Sequence, residues 1–564
     1  MASSAKKTSE ASGSFAAVMS RHAAVSSHMN IFILLLICGV MMSPILSIFV
    51  ISLGDTADLI PHLFHTVLPR YLANTVILMA GVGAVACVIG VGAAWIVTRY
   101  RFACRRLFDF MLVLPAAMPA YISAYAYTDF LEYSGPVQTA LRQIFGWRNA
   151  QDYWFFEIRS MGGAIIMLGF VLYPYVYLLA RTAFRQTSSA FFEVALLSGK
   201  PLFSVVALPL ARPAIVAGLS LVLMEVISDF GTVDYFAIET LTLGIFNVWL
   251  GMGSVASAAR LALFAFILIA VLISVEMFAR SRRSFHNQAS NITGVPSLHV
   301  TGWAGLGCIA LCAIPVLVGF AGPVLILLSF ILSSPAGAPE FTELLALTGQ
   351  SLGLAGSSAV VIVAIAVVMA FLSMFGQGRW ARILSSLAAT GYAFPGTILA
   401  IGVLYIFGIA DRLISGLSFT MVISGTIFVL IFGLSVRFLA VGLGAVASGI
   451  EKLPPHMMES SRILGQGYLS SVRKVILPQL RPALLVGGLL VFVDVMKELP
   501  LTLLLRPFSF ETFATFTYQF AKDEMLEVAA LPALFIIIAG LIPVYLANYA
   551  LSGLNVKAGK RVQG

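Results

Sequence analysis

The chain has 564 residues, 60% of them hydrophobic and only 10% charged, with a mean hydropathy of +0.98. A soluble domain is roughly a quarter charged, so this composition excludes one and makes lipid the solvent for most of the chain. The net charge of +9 is divided among loops with no basic, aromatic-interleaved patch, which excludes nucleic acid and leaves anionic membrane lipid as the expected partner.

Residues 1–30 are polar and precede a long apolar run, the pattern of an uncleaved anchor. Crossing a hydrocarbon core of about 30 Å takes roughly 20 helical residues. Runs of that length follow at Ile31 to Leu53, Leu72 to Thr98, Leu107 to Phe130, Gly162 to Ala180, Ala214 to Phe230, Ala258 to Phe278, Gly302 to Leu332, Ser351 to Phe375, Leu384 to Gly408, Phe419 to Val436, Ala483 to Leu505 and Val528 to Leu551. A barrel strand would alternate polar and apolar every second residue, and Val360 to Met369 does not. An all-α polytopic membrane protein of about twelve transmembrane helices is predicted. The five cysteines lie in or beside the runs; Cys308 and Cys312, one turn apart, offer a soft-metal pair or, more simply, two packing thiols.

Lysine and arginine stay on the cytoplasmic side of short loops. With the N-terminus inside, most of the 34 basic residues fall on inner loops, among them Arg99, Arg101, Arg105, Arg106, Arg181, Arg185, Arg280, Arg379, Arg473 and Lys474. The outer loops collect acids such as Asp55, Asp152, Glu340 and Asp523. Both termini are then cytoplasmic, in a multi-pass membrane protein.

The chain also repeats itself. Leu208-Pro-Leu-Ala-Arg-Pro-Ala-Ile215 lines up with Leu477-Pro-Gln-Leu-Arg-Pro-Ala-Leu484, and upstream Glu193 and Gly199 keep the separation of Glu459 and Gly465. The chain therefore divides into a cytoplasmic segment 1–30, a first half 31–285, a linker 286–301, a second half 302–556 and a tail 557–564. Each repeated loop predicts a rigid peg: a short helix, a glycine in the left-handed conformation that ends it, and a proline opening the next segment.

These loops resemble the Glu-Ala-Ala motif of binding-protein-dependent ABC importer permeases. Glu459-Ser-Ser-Arg-Ile-Leu-Gly465 through Pro478 keeps the motif's length, with Ser460 and Ser461 in place of its alanines, whereas Glu193 through Pro209 is three residues shorter. Finer detail, in Ser228 to Phe236, Leu241 to Phe246, Asp494 to Leu504 and Phe510 to Phe513, is similar to the fused two-half iron(III) permeases. The resemblance implies a type I importer permease fold, with Glu193, Gly199, Pro209, Glu459, Gly465 and Pro478 in coupling loops. It also implies two ATP-binding-cassette ATPase subunits, a periplasmic substrate-binding protein and ferric iron as cargo; thiamine, polyamine or phosphonate is the alternative within the class. The chain lacks a GxxxxGK[ST] phosphate loop, so ATP and magnesium belong to the partner ATPase and no cofactor is expected here.

Aligned on the Arg-Pro pairs, the halves set Glu225 opposite Asp494 and Asp229 opposite Glu498, at i and i+4 of one expected helical face. Ionised groups at that depth cost several kcal/mol and should face protein or water. Two readings stand: hard carboxylates lining a cation path, or partners such as Lys497 and Arg437 holding gate helices together. An ion-coupled secondary transporter would use the same acids but has no need of two pegs. Weaker candidates are His62 and His65 as a metal pair, Tyr121, Tyr125 and Tyr127 as phenolic ligands or interfacial anchors, and Pro119 and Pro395 as kinks.

Overall fold

The computed structural model describes residues 29–55, 59–281, 295–333, 339–375, 379–416, 422–454 and 457–560. The N-terminal segment with Lys6, Lys7 and Arg21, most of the linker, and the final residues with Arg561 lie outside the described residues. Among the described residues, the only sheet is a two-residue parallel ladder, Tyr100–Arg101 beside Leu298–His299.

Eleven described helices are long and apolar enough to cross a membrane, and a bent pair brings the number to twelve. That pair, Arg105–Ala117 and Ala120–Phe145, turns by 93° where the sequence predicts a single run from Leu107 to Phe130. Pro119 is the cause: its ring drives Met118 out of the helical region, to ψ 120°, and it has no N–H to continue the ladder. In the second half Pro395 directly precedes the ninth span, which is Gly396–Ser415 and not Leu384 to Gly408, and Arg379–Ala388 is a separate helix, α16.

Other bounds shift for a related reason. The fifth, tenth and eleventh spans are Phe203–Ser228, Ile427–Ile450 and Val472–Met496. Hydropathy reports only the hydrocarbon-buried part of a helix, whereas the backbone closes its hydrogen bonds well beyond it.

The chain packs as two compact units. One combines residues 29–47, 354–393 and 402–495; the other combines 48–353, 394–401 and 496–560. Each unit thus draws on sequence from both sides of the linker. In the first, Gly391 lies so close to the Val436 carbonyl that a Cβ would stand 2.1 Å from its oxygen. Phe371, Ile476 and Leu480 form a buried cluster in the same unit. In the second, α3 (Leu68–Arg99), α7 (Met161–Gln186) and α9 (Leu208–Ser228) pack on one another so closely that a Cβ at Gly90 of α3 or Gly218 of α9 would stand 2.9 Å from Val176 of α7; such small residues let helix axes approach in lipid.

Candidate coupling loops and broken spans

The first peg opens with α8 (Ser189–Leu197). Gly199 ends it at φ +64°, with the Lys200 N–H donating to the Ala195 carbonyl at 3.0 Å and the Gly199 N–H to Leu196 at 3.1 Å, the pairing that satisfies a helix C-terminus. A π-turn, Phe203–Ala207, then leads into α9. The second peg opens with α19 (Met457–Ile463), turns at Gly465 with φ +81°, and adds a short helix, α20 (Tyr468–Ser471). A π-turn at Val472–Ile476 then leads into α21 (Leu477–Met496).

The π-turns share one cause. Pro209 and Pro478 cannot donate, and their rings would strike the carbonyl four residues back. Widening the preceding turn, so that Leu208 bonds to Phe203 and Leu477 to Val472, relieves both problems. The three extra residues of the second peg fall between its glycine and its π-turn, in the stretch that forms α20.

Ala195 and Ser461 occupy the same step of the two pegs and both are buried. The Ser461 hydroxyl meets that of Ser471 at 2.8 Å, tying α19 to α20. Two residues on, at the next shared step, Leu197 and Ile463 are 89% and 86% exposed, so each peg presents an uncovered apolar tip. Glu193 is exposed and Pro209 and Pro478 are half-buried, while the side chain of Glu459 lies outside the described residues.

The acids are placed otherwise than on one helical face. α9 stops at Ser228 and α21 at Met496, so Asp229 and Glu498 stand just beyond the helix ends. They are claimed by the next short helices. Asp229 accepts from the N–H groups of Thr232 at 2.9 Å and Val233 at 3.3 Å and from the Thr232 hydroxyl at 2.9 Å, at the start of α10 (Gly231–Tyr235). Glu498 accepts from the Leu501 N–H at the start of α22 (Pro500–Leu505). Each carboxylate therefore satisfies N–H groups at the N-terminus of the short helix that follows it. Glu225 and Asp494 are half-buried and each has a polar partner.

The repeat continues further than the sequence motifs reach. Ala237 and Ser509, at φ +53° and +60°, each stand three residues before a threonine, Thr240 or Thr512, that caps the next helix: α11 (Leu241–Phe246) and α23 (Phe513–Lys522). The matched threonines are the signal of it in the sequence. Asp234 of α10 accepts from the Tyr518 hydroxyl at 2.5 Å and the Lys522 ammonium at 2.9 Å.

Tyr121 and Tyr125, on α5 (Ala120–Leu131), are buried inside the second unit, not anchored at an interface, and their hydroxyls have no partner among the described residues. The Tyr127 hydroxyl donates to the Val318 carbonyl at 2.7 Å in a further π-turn, Leu317–Ala321. Among the described residues no three His, Cys, Asp or Glu side chains gather to hold a metal, and the side chain of His62 lies outside them. Sequence reasoning missed one polar centre: Arg181 and Arg185, expected on a loop, belong to α7 and bind Asp109.

Residues 362–554 match the family model of the binding-protein-dependent transport system inner membrane component. The Fe(3+)-transport system permease protein FbpB 2 of Haemophilus influenzae is 22% identical over 86% of this chain and 90% of its own length. The ferric transport system permease protein FbpB of Actinobacillus pleuropneumoniae is 22% identical over 82% of this chain and 69% of its own. The sulfate transport system permease protein CysT of Salmonella typhimurium is 28% identical over 27% of this chain and 52% of its own. A permease model matched on residues 362–554, transport-permease relatives over most of the chain and a polytopic helical fold together support an ABC importer permease, a transport subunit.

Proposed function

We propose that the chain carries ferric iron, delivered outside by a periplasmic binding protein, across the inner membrane while two ATPase subunits close on ATP and magnesium inside. The duplicated peg carries this reading. Two loops with a left-handed glycine, a π-turn and an apolar tip at the same step are what a paired motor needs to grip, and the exposed Leu197 and Ile463 are the groups that would seat in an ATPase groove. Glu193 to Pro209 and Glu459 to Pro478 are then the coupling loops, both termini lie in the cytoplasm, and the motor switches the pathway between its two openings.

Iron is favoured over sulfate because the iron-transport relatives cover 86% and 82% of this chain and the sulfate relative 27%. Asp229 and Glu498 hold the short helices that follow α9 and α21, and Glu225, one turn earlier on α9, is the acid this reading assigns to a cationic cargo. The test is the purified permease with its ATPase and binding protein. Iron-loaded binding protein should stimulate ATP hydrolysis; indifference to iron with a response to thiamine or polyamine would reassign the cargo. Uptake that survives ATP depletion would instead indicate an ion-coupled carrier.

A further inference from the structure

Asp109 lies on α4 (Arg105–Met111), the short leg of the broken third span. Three residues of α7 converge on it. The Tyr177 hydroxyl donates to Asp109 Oδ1 at 2.9 Å, Arg181 Nη1 to Oδ1 at 2.6 Å and Arg185 Nη2 to Oδ2 at 2.8 Å. Spaced four apart, the three donors form one helical stripe, and the Arg181 side chain is only 2% exposed.

The position of this cluster in the chain matters more than its strength. α7 ends at Gln186 and only two residues separate it from the first peg, which begins at Ser189, so the stripe sits on the helix that holds the peg. On its other side, α4 leads through Leu114–Ala117 to the Pro119 break and into α5. There Tyr121 packs on Gly231, the first residue of α10, closely enough that a glycine Cβ would stand 2.7 Å from the tyrosine Cβ. Peg, stripe, Asp109, hinge and acid-capped helix thus form one contiguous packed line inside the second unit.

We propose that Asp109 and its three donors are a positioning clamp that carries displacement of the first peg to the broken third span. Buried ion pairs add little stability beyond apolar packing of equal volume, but they fix which residues face one another. The bend at Pro119, where the helical hydrogen-bond ladder is already interrupted, is the point on this line where a displacement would be taken up. The second half is built differently: α16 is held to Ser373 of α15 (Phe341–Phe375) by hydroxyl contacts to Ala381 O at 3.2 Å and Ser385 at 2.5 Å.

The inference rests on the ATP-driven reading, and its test separates the two. The full complex in liposomes gives uptake, ATP hydrolysis and their ratio for Asp109→Asn, Arg185→Gln and Arg185→Lys. Arg185 is the partly exposed donor, so its variants keep the fold if Asp109→Asn does not. Expected for Arg185→Gln is unchanged basal hydrolysis and melting temperature with uptake per ATP lowered about five- to tenfold, and most of that loss recovered in Arg185→Lys. A ratio within about twofold of wild type overturns the clamp. So does a loss of uptake that only tracks loss of folded complex in both Arg185 variants. The ratio is taken with whichever loaded binding protein stimulates the wild type, so indifference to iron overturns the cargo assignment and leaves the clamp to be judged on its own.

Discussion

Asp229 and Glu498 stand at the same step of the two halves, and each gives a carboxylate oxygen to the backbone N–H three residues further on: Thr232 at 2.9 Å and Leu501 at 3.1 Å. Removing such an acceptor from a helix start costs about 1 kcal/mol, and asparagine restores most of it. Asp229→Ala should therefore lower the thermal stability of the detergent-solubilised protein, with Asp229→Asn close to wild type in both melting temperature and uptake. An Asp229→Asn protein that melts normally but does not transport would place the charge itself on the cargo path.

Gly199 and Gly465 have open space where a Cβ would stand, so alanine there meets no neighbour and strains only the backbone. A left-handed non-glycine residue costs roughly 1–2 kcal/mol, less for asparagine. Gly465→Ala should weaken retention of the ATPase in a pull-down from detergent, and Gly465→Asn should weaken it less. Equal retention by all three proteins would mean that peg shape does not govern docking.

Gly391 and Gly408 make a paired control. A methyl at Gly391 would press on the Val436 carbonyl, whereas Gly408 has nothing within 4 Å. Overpacking of that severity costs about 1–3 kcal/mol or more. Gly391→Ala should accumulate poorly in membranes and Gly408→Ala normally, as read by fluorescence-detected size exclusion.

Ser461→Ala creates the alanine of the importer motif, yet it should destabilise. It removes one member of the buried Ser461–Ser471 pair; Ser471 keeps its bond to the Gly467 carbonyl at 3.1 Å, which limits the loss to about 1 kcal/mol. The double variant with Ser471→Ala should recover part of it, because neither hydroxyl is then left behind. A double variant worse than the single would contradict this.

Much of the architecture is legible in the sequence because lipid imposes long apolar runs and the duplicated Leu-Pro and Arg-Pro steps are local signals. The left-handed glycines follow from the same local chemistry. Span ends are not legible: Ile427–Ile450 runs well past the expected Val436, since nothing in hydropathy marks where a helix stops bonding. The π-turns are hidden because their cause, a proline ring against a carbonyl, depends on the helix continuing through it. Arg181 reads as an inner-loop charge, although its spacing of four from Arg185, with Asp109 close behind the basic residues 101–106, is a usable sign of an ion cluster. Asp229 and Glu498 leave their expected helix because a carboxylate competes with the ladder for N–H groups.

Each compact unit borrows chain from both sides of residues 286–301, and this has a bearing on biogenesis. Were the gene severed there, neither product would own every segment its packing requires, and each would wait half-finished in the bilayer for the other. Joining them in one polypeptide turns that encounter into an intramolecular search, at an effective concentration that reaches about the millimolar range for short tethers. Continuity of the backbone here is an assembly device, and co-translation guarantees the stoichiometry.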